Sequence, residues 1–324
     1  MSENFILKAQ LPIAILGVLV NIFHIFVLTR KAMRTNCINI LMIGIGVCEF
    51  YDLVFLIYDD LVNMKEYCST VYSYPLVLLD HICAALEDNL HRLCTWLAVL
   101  MASIRFLAIK NALNSKFDVL SRPVFGLKVI LVAVILSSLL TSFVWSQFEI
   151  VEVLPGDKCF VDGTPRYKKV MNHRLAYRIL AVTDGMLKIL TTIVLPVFSI
   201  LLIKELRKAE KARKRLKRDQ TRNLSSKTVQ TTKLVLLMTV TFMVAEGPFG
   251  IIYIINGLFK EVPGVLTFTS ILVNFIGLFS ALNSITHFLI CLFVSSQYQK
   301  TVKEMLVIVR CRKINTGPNP AGTR

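Results

Sequence analysis

Apolar runs of about 20 residues, the length that crosses a bilayer as a helix, recur seven times along the chain. They cover residues 9–28, 37–58, 76–109, 123–148, 179–203, 234–259 and 265–294. The pattern predicts an all-α membrane protein, a seven-transmembrane helix bundle over residues 1–294. Residues 295–324 follow as a cytosolic amphipathic helix and a disordered tail. The third run carries Asp80, Glu87, Asp88, His91, Arg92 and Arg105, so it is expected to face protein rather than lipid. KELRKAEKARKRLKRDQ, after the fifth run, holds strong helix formers and no Gly or Pro, so that helix is expected to continue beyond the membrane. Past the seventh run, Tyr298, Val302, Met305 and Leu306 recur at helical spacing beside Lys300 and Lys303. They predict a short helix lying on the membrane surface.

Composition agrees: 55% of residues are hydrophobic and the mean hydropathy is +0.62, which excludes a soluble domain. The net charge of +16 raises the question of nucleic acid, and its placement answers it. Of 37 Lys and Arg, 24 fall in the odd-numbered connections and the C-terminal tail, 9 in the even-numbered connections and the N-terminus, and 4 inside spans. The positive-inside rule puts the N-terminus outside and the C-terminus in the cytosol. The bilayer, not nucleic acid, is the expected partner of the basic charge. No cleavable signal pattern precedes the first run. The sequon Asn223-Leu224-Ser225 falls in the basic cytosolic loop and is expected to stay unglycosylated.

Of eight cysteines, Cys37, Cys48, Cys94, Cys291 and Cys311 lie in spans or near the cytosol and are expected to be reduced. Cys311, in VRCRK, is a palmitoylation candidate. Cys159, in LPGDKCFVDG, faces the oxidising side and needs a partner near the top of the third span. Cys68, in the polar stretch MKEYCSTVYS, is the favoured partner, with Cys83, a few turns into the helix, as the alternative.

Charges inside a membrane are expensive, which makes each a functional candidate. Glu87 and Asp88 stand about 18 residues before Arg105, about 27 Å along a helix, so they occupy opposite ends of the bundle. With His91 and Asp184 they are expected to line an outward cavity suited to an amine or a guanidinium. Phe249, Tyr253, Asn256 and Phe275 are candidate walls. Glu246 precedes Gly247 and Pro248 in FMVAEGPFG. The proline removes a backbone hydrogen bond and the glycine loosens the same turn, so the sixth helix is expected to kink there. Glu246 then has three fates: to bind a cation, to pair with a base such as Lys188, or to stay protonated. No His-Glu-x-x-His, Gly-x-Ser-x-Gly, Cys-x-x-Cys or phosphate loop is present, and five histidines on scattered spans give no metal-ligand spacing. The chain is therefore not expected to be an enzyme, nor to carry a cofactor or metal. A small transporter or channel is the rival from another class. The absence of a duplicated six-span unit weighs against it.

From Arg105 the chain reads Arg-Phe-x-x-Ile-x-x-Ala-Leu, which resembles the Asp/Glu-Arg-Tyr-x-x-Ile-x-x-Pro-Leu motif of rhodopsin-like G-protein-coupled receptors. Phe106, Ile109 and Leu113 match; Ile104 and Ala112 depart. Asn21 in the first span, Glu49 for the second-span aspartate, Pro196 and Pro248 follow in the family's order. Asn283 does too, with Ser284 and His287 replacing the Pro and Tyr of Asn-Pro-x-x-Tyr. LCTWLAVLMASIRFLAIKNAL, AEGPFG and LNSITHFLIC are similar to the nematode Srw-type chemoreceptors, relatives of FMRFamide and myosuppressin receptors, over nearly the whole chain. The resemblance implies a multi-pass plasma-membrane receptor coupled to a heterotrimeric G protein. It implies switch and coupling roles for Asn21, Glu49, Arg105, Pro196, Pro248, Asn283 and His287. The ligand would bind among Glu87, Asp88, His91, Asp184, Glu246, Phe249 and Tyr253. It would be a short amidated, cationic peptide, or alternatively a small environmental molecule. In that group a loop cysteine followed by a Tyr-containing stretch is usual, which supports Cys68 over Cys83. Ile104 removes the local ion pair that restrains the motif arginine in the family. The longer Glu49, with Phe279 and Cys94 where polar ligands often stand, implies no tight sodium site.

Overall fold

The computed structural model describes residues 2–63, 73–111, 114–155, 157, 165–216, 222–259, 262 and 264–315. Among these residues, seven helices are long and apolar enough to cross a membrane. They are α1 Ser2–Leu28, α2 Cys37–Asn63, α3 Tyr74–Lys110, α4 Pro123–Trp145, α5 Arg174–Leu216, α6 Arg222–Phe259 and α7 Val265–Val294. A further helix, α8 Ser296–Asn315, follows directly. The observed helices match the seven apolar runs, and the last run agrees at both ends. The fifth extends well past its apolar part, as its basic, helix-forming sequence predicts, and the sixth begins at Arg222, well before its apolar run, which the pattern does not predict. The fourth stops at Trp145 rather than residue 148 because Phe148 opens a strand. The strands β1 Phe148–Glu152 and β2 Tyr167–Met171 form an antiparallel hairpin, in register from Phe148 opposite Met171 to Glu152 opposite Tyr167.

Local signals set the helix starts. Pro75 and Pro123 stand in the first turns of α3 and α4, where a missing N–H costs nothing. Gly264, at φ 84°, supplies the left-handed residue before α7. Between α3 and α4, Asn114 accepts a hydrogen bond from the Lys116 amide at 3.1 Å and starts a short 3-10 turn, Ser115–Ser121.

Helix α3 is central to the bundle and touches α2, α4, α5 and α6. Its Leu97 and Met101 pack with Leu41 and Ile45 of α2, Leu195 and Leu202 of α5 and Phe242 of α6 in one apolar core. Outward-facing Leu131, Ile135, Leu139 and Phe143 of α4 are the apolar coat expected against lipid. Backbones of α5 and α6 meet at glycines. A Cβ on Gly185 would stand 2.7 Å from Ile254 Cγ1 and 2.9 Å from the Gly250 carbonyl, so nothing larger fits. At the other end of the bundle, α8 is tied to α1: Tyr298 is fully buried, and its hydroxyl lies 3.0 Å from His24 Nδ1. Burial pushes the Tyr298 phenol well above its ordinary pKa, so it remains neutral.

Candidate functional site

A cavity of about 380 Å³ opens among α2, α3, α6 and α7, at the end of the bundle away from Arg105. Helical periodicity builds its acidic wall. Glu49, Asp52, Asp59 and Asp60 recur along one face of α2, with Glu87 and His91 one turn apart on α3 and Glu246 on α6. Six carboxylates therefore line the cavity, with one histidine and, among the described residues, no Lys or Arg. Glu87 makes no hydrogen bond or ion pair among the described residues. Three neighbouring oxygens are buried and likewise lack a hydrogen-bond partner: Asp52 Oδ1, Asn283 Oδ1 and Gln10 Oε1.

His91 sits between two acids. Its Nε2 lies 2.8 Å from Glu246 Oε2 and its Nδ1 3.6 Å from Asp52 Oδ2. Ser280 donates to the second Glu246 oxygen at 3.2 Å, and the Phe249 ring packs edge-on against the imidazole at 5.0 Å between centroids. The partner of Glu246 is thus His91, not Lys188. Lys188 is held elsewhere: 2.9 Å from Asp184, 3.9 Å from Asp88, and 3.3 Å from the centroid of the Tyr253 ring.

Asp88 and Asp184, expected on the cavity wall, stand instead in this second group. Arg92, 1% exposed, reaches Asp184 at 2.6 Å, Asp88 at 2.7 Å and Thr141 Oγ1 at 2.7 Å. Two acids and two bases balance, each pair one turn apart on its own helix. Tyr253 divides the two sites. Its ring lines the cavity and its hydroxyl donates to Asp88 at 3.4 Å. Of the other expected walls, Phe249 and Asn256 line the cavity, but Phe275 does not. It is 47% exposed and packs on Phe279, so both rings lie on the outer surface, and Ser280 takes the inward position expected of Phe279.

Deeper in the bundle, Asn21 donates to the Gly17 carbonyl at 3.2 Å and to Ser284, and Ser284 donates to Glu49 at 3.4 Å. His287 Nδ1 closes on the other Glu49 oxygen, and its ring stacks on Phe242. The two departures from Asn-Pro-x-x-Tyr are therefore the residues that reach Glu49. Asn283 faces the cavity instead. Pro196 and Pro248 lie inside helices that run through them. Arg105 is half-buried at the far end, after a buried Ile104. Cys83 carries a free thiol, while Cys68 and Cys159, the favoured disulfide pair, lie outside the described residues. The side chains of Asn223 and Cys311 lie outside them too.

Sequence reasoning missed Asp52, Asp59 and Asp60, although their helical spacing from Glu49 was available as a signal. It also missed that Asp52, Glu87 and His91 converge. One donor atom from each lies within 4.8 Å of the others.

A seven-helix bundle with a polar cavity at one end and an arginine flanked by long basic helices at the other has the architecture of a membrane receptor. The sequence profile described as "Serpentine type 7TM GPCR chemoreceptor Srw" matches residues 8–309, and the chain belongs to that family of G-protein-coupled receptors. It is also similar to the G-protein coupled receptor dmsr-1 of Caenorhabditis elegans. The two are 24% identical over 358 aligned residues, which cover 94% of this chain and 69% of that protein. The protein is accordingly a multi-pass receptor of the plasma membrane, whose partners are a ligand and a G protein.

Proposed function

We propose that the receptor responds to a short, amidated peptide carrying a cationic side chain, with its N-terminus outside and α8 and the tail in the cytosol. The observation that carries this reading is the cavity's charge: six carboxylates and, among the described residues, no Lys or Arg and no partner for Glu87. A guanidinium fits such a site through bidentate, charge-assisted hydrogen bonds. The volume of about 380 Å³ suits one or two side chains and an amide terminus rather than a whole peptide. The ligand shifts a pre-existing equilibrium through its preference for the active state. The Glu246–His91 link ties α6 to α3 two residues before Pro248, so a ligand that engages Glu246 acts on α6 at its weakest point. The movement then opens the far end, where Arg105 and the basic ends of α5 and α6 meet the heterotrimeric G protein.

The test is G-protein activation in cells expressing the receptor, screened with amidated neuropeptides and small odorants. A peptide hit should lose at least tenfold in potency when its arginine is replaced by citrulline. Glu87→Gln should cost a similar factor, and the two losses should not add. A peptide whose potency ignores both changes overturns the cationic reading. The chemoreceptor description of the matching family favours a second reading, a small environmental molecule in the same cavity. Activation by odorants alone would select it.

A further inference from the structure

We propose that Asp52, Glu87 and His91 form a Zn2+ site on the cavity wall, with the fourth coordination position open to the cavity. The three donors come from two adjacent helices and lie within 4.8 Å of one another. At 3.6 Å, His91 Nδ1 and Asp52 Oδ2 are too far apart for a hydrogen bond. They are close to the roughly 3.3 Å that separates two ligand atoms bound tetrahedrally at about 2.0 Å. Glu87, one turn before His91, presents the third donor from the same face of α3 and has no competing ion pair.

A second observation is independent of the cluster. Metal-bound histidines almost always donate their other N–H to a carboxylate, which fixes the ring and raises its basicity. Glu246 Oε2 stands 2.8 Å from Nε2 as that carboxylate, in an ion pair, and Ser280 holds the other Glu246 oxygen at 3.2 Å. Nδ1, the nitrogen left for the metal, is the one facing Asp52. Asp52 Oδ1 is buried without a hydrogen-bond partner among the described residues. The donor set of one imidazole and two carboxylates selects Zn2+ over Mg2+ or Ca2+, which take all-oxygen shells. Bound Zn2+ would take up Asp52 and Glu87, so under the proposed function it competes with a cationic ligand for this wall.

The test uses the purified full-length receptor without a polyhistidine tag and without agonist, so its outcome is separate from that of the peptide reading. After chelation, Zn2+ is titrated calorimetrically, with Mg2+ and Ca2+ in parallel. One saturable Zn2+ site is expected. His91→Phe and Glu87→Gln should each weaken it at least tenfold. Glu246→Gln should weaken it by about 10- to 100-fold at unchanged stoichiometry, as loss of an orienting carboxylate does. Replacing exposed His173 should leave it unchanged. Co2+ should give the visible absorption of a tetrahedral complex, lost in the Glu87 and Asp52→Asn variants; these keep His91 and serve if His91→Phe does not fold. Binding of equal strength in Glu87→Gln and Asp52→Asn overturns the assignment, as does equal binding of Mg2+ or Ca2+.

Discussion

Arg92 is 1% exposed, the most buried Lys or Arg among the described residues, and replacing it tests how the bundle balances its acids. In Arg92→Met, Asp184 keeps Lys188 at 2.9 Å, but Asp88 keeps only Lys188 at 3.9 Å and the Tyr253 hydroxyl at 3.4 Å. The orphaned charge is therefore Asp88. Removing one partner of a buried ion pair costs about 3–5 kcal/mol, and the Thr141 hydroxyl loses a bond worth about 1 kcal/mol. Adding Asp88→Asn restores neutrality, because Lys188 and Asp184 remain as a complete pair. The double variant should recover about 2–3 kcal/mol, a coupling of the size contacting residues show. The assay is the thermal midpoint of receptor in lipid nanodiscs at one heating rate, with surface expression alongside, since membrane receptors unfold irreversibly. The order expected is wild type, then the double variant, then Arg92→Met. A double variant no more stable than Arg92→Met would refute the assignment of Asp88 as the stranded charge. An Arg92→Met receptor with the wild-type midpoint would refute the network as a stabilising unit.

Three further outcomes follow from the same geometry. Arg105→Ala should abolish G-protein activation while surface expression and ligand binding stay close to wild type, read by radioligand binding and nucleotide exchange; unchanged activation removes its coupling role. Glu246→Gln weakens the link between α3 and α6, so potency or basal activity should change by several-fold in a signalling assay, and no change in either would leave Glu246 as packing. Gly250→Ala places a Cβ 2.9 Å from Ile189 Cγ1 and 3.0 Å from the Gly185 carbonyl. Overpacking of this kind costs about 1–3 kcal/mol, and pushing α6 off α5 should raise basal signalling. A wild-type midpoint with wild-type basal activity would show that the seam yields freely.

The helices were legible because their signal is one-dimensional: a run of about 20 apolar residues has few other fates. The basic extension of α5 and the start of α8 were readable for the same reason, since propensity and spacing agreed there. The hairpin was not. FEIVE and YKKVM are short, mixed stretches whose pairing depends on the loop that joins them. At the site, the sequence could say that Glu87, Asp88, Asp184 and Glu246 were costly and needed partners. It could not say which partner each would take, because that depends on how helices rotate against one another. Rotation sends Asp88 toward Arg92 and Lys188, and Glu87 toward the cavity, although they are neighbours in the chain. It also turns Phe275 and Phe279 outward, where apolar character alone could not tell a lipid-facing ring from a cavity wall.

The partition of charge bears on how the proposed ligand would act. Among the described residues, the strong bases beside the cavity, Arg92 and Lys188, are spent on Asp88 and Asp184 behind Tyr253, while Glu49 meets His287, Asp52 and Glu246 share His91, and Glu87 has no ion pair. An arriving cation therefore meets at Glu87 a carboxylate that no described base must release, so its attraction there is not offset by breaking an ion pair. Binding at Glu87 or Asp59 would add affinity equally to any state that keeps the α2–α3 wall intact, and equal affinity shifts nothing. Glu246 differs because it belongs to α6 while its partner belongs to α3. A ligand that draws Glu246 away from His91 gains only in the state where α6 has moved, and Pro248, two residues on, is where α6 lacks a backbone hydrogen bond. Under the proposed function, contacts to Glu87 set how tightly a ligand binds, and contacts to Glu246 set whether that binding becomes a signal.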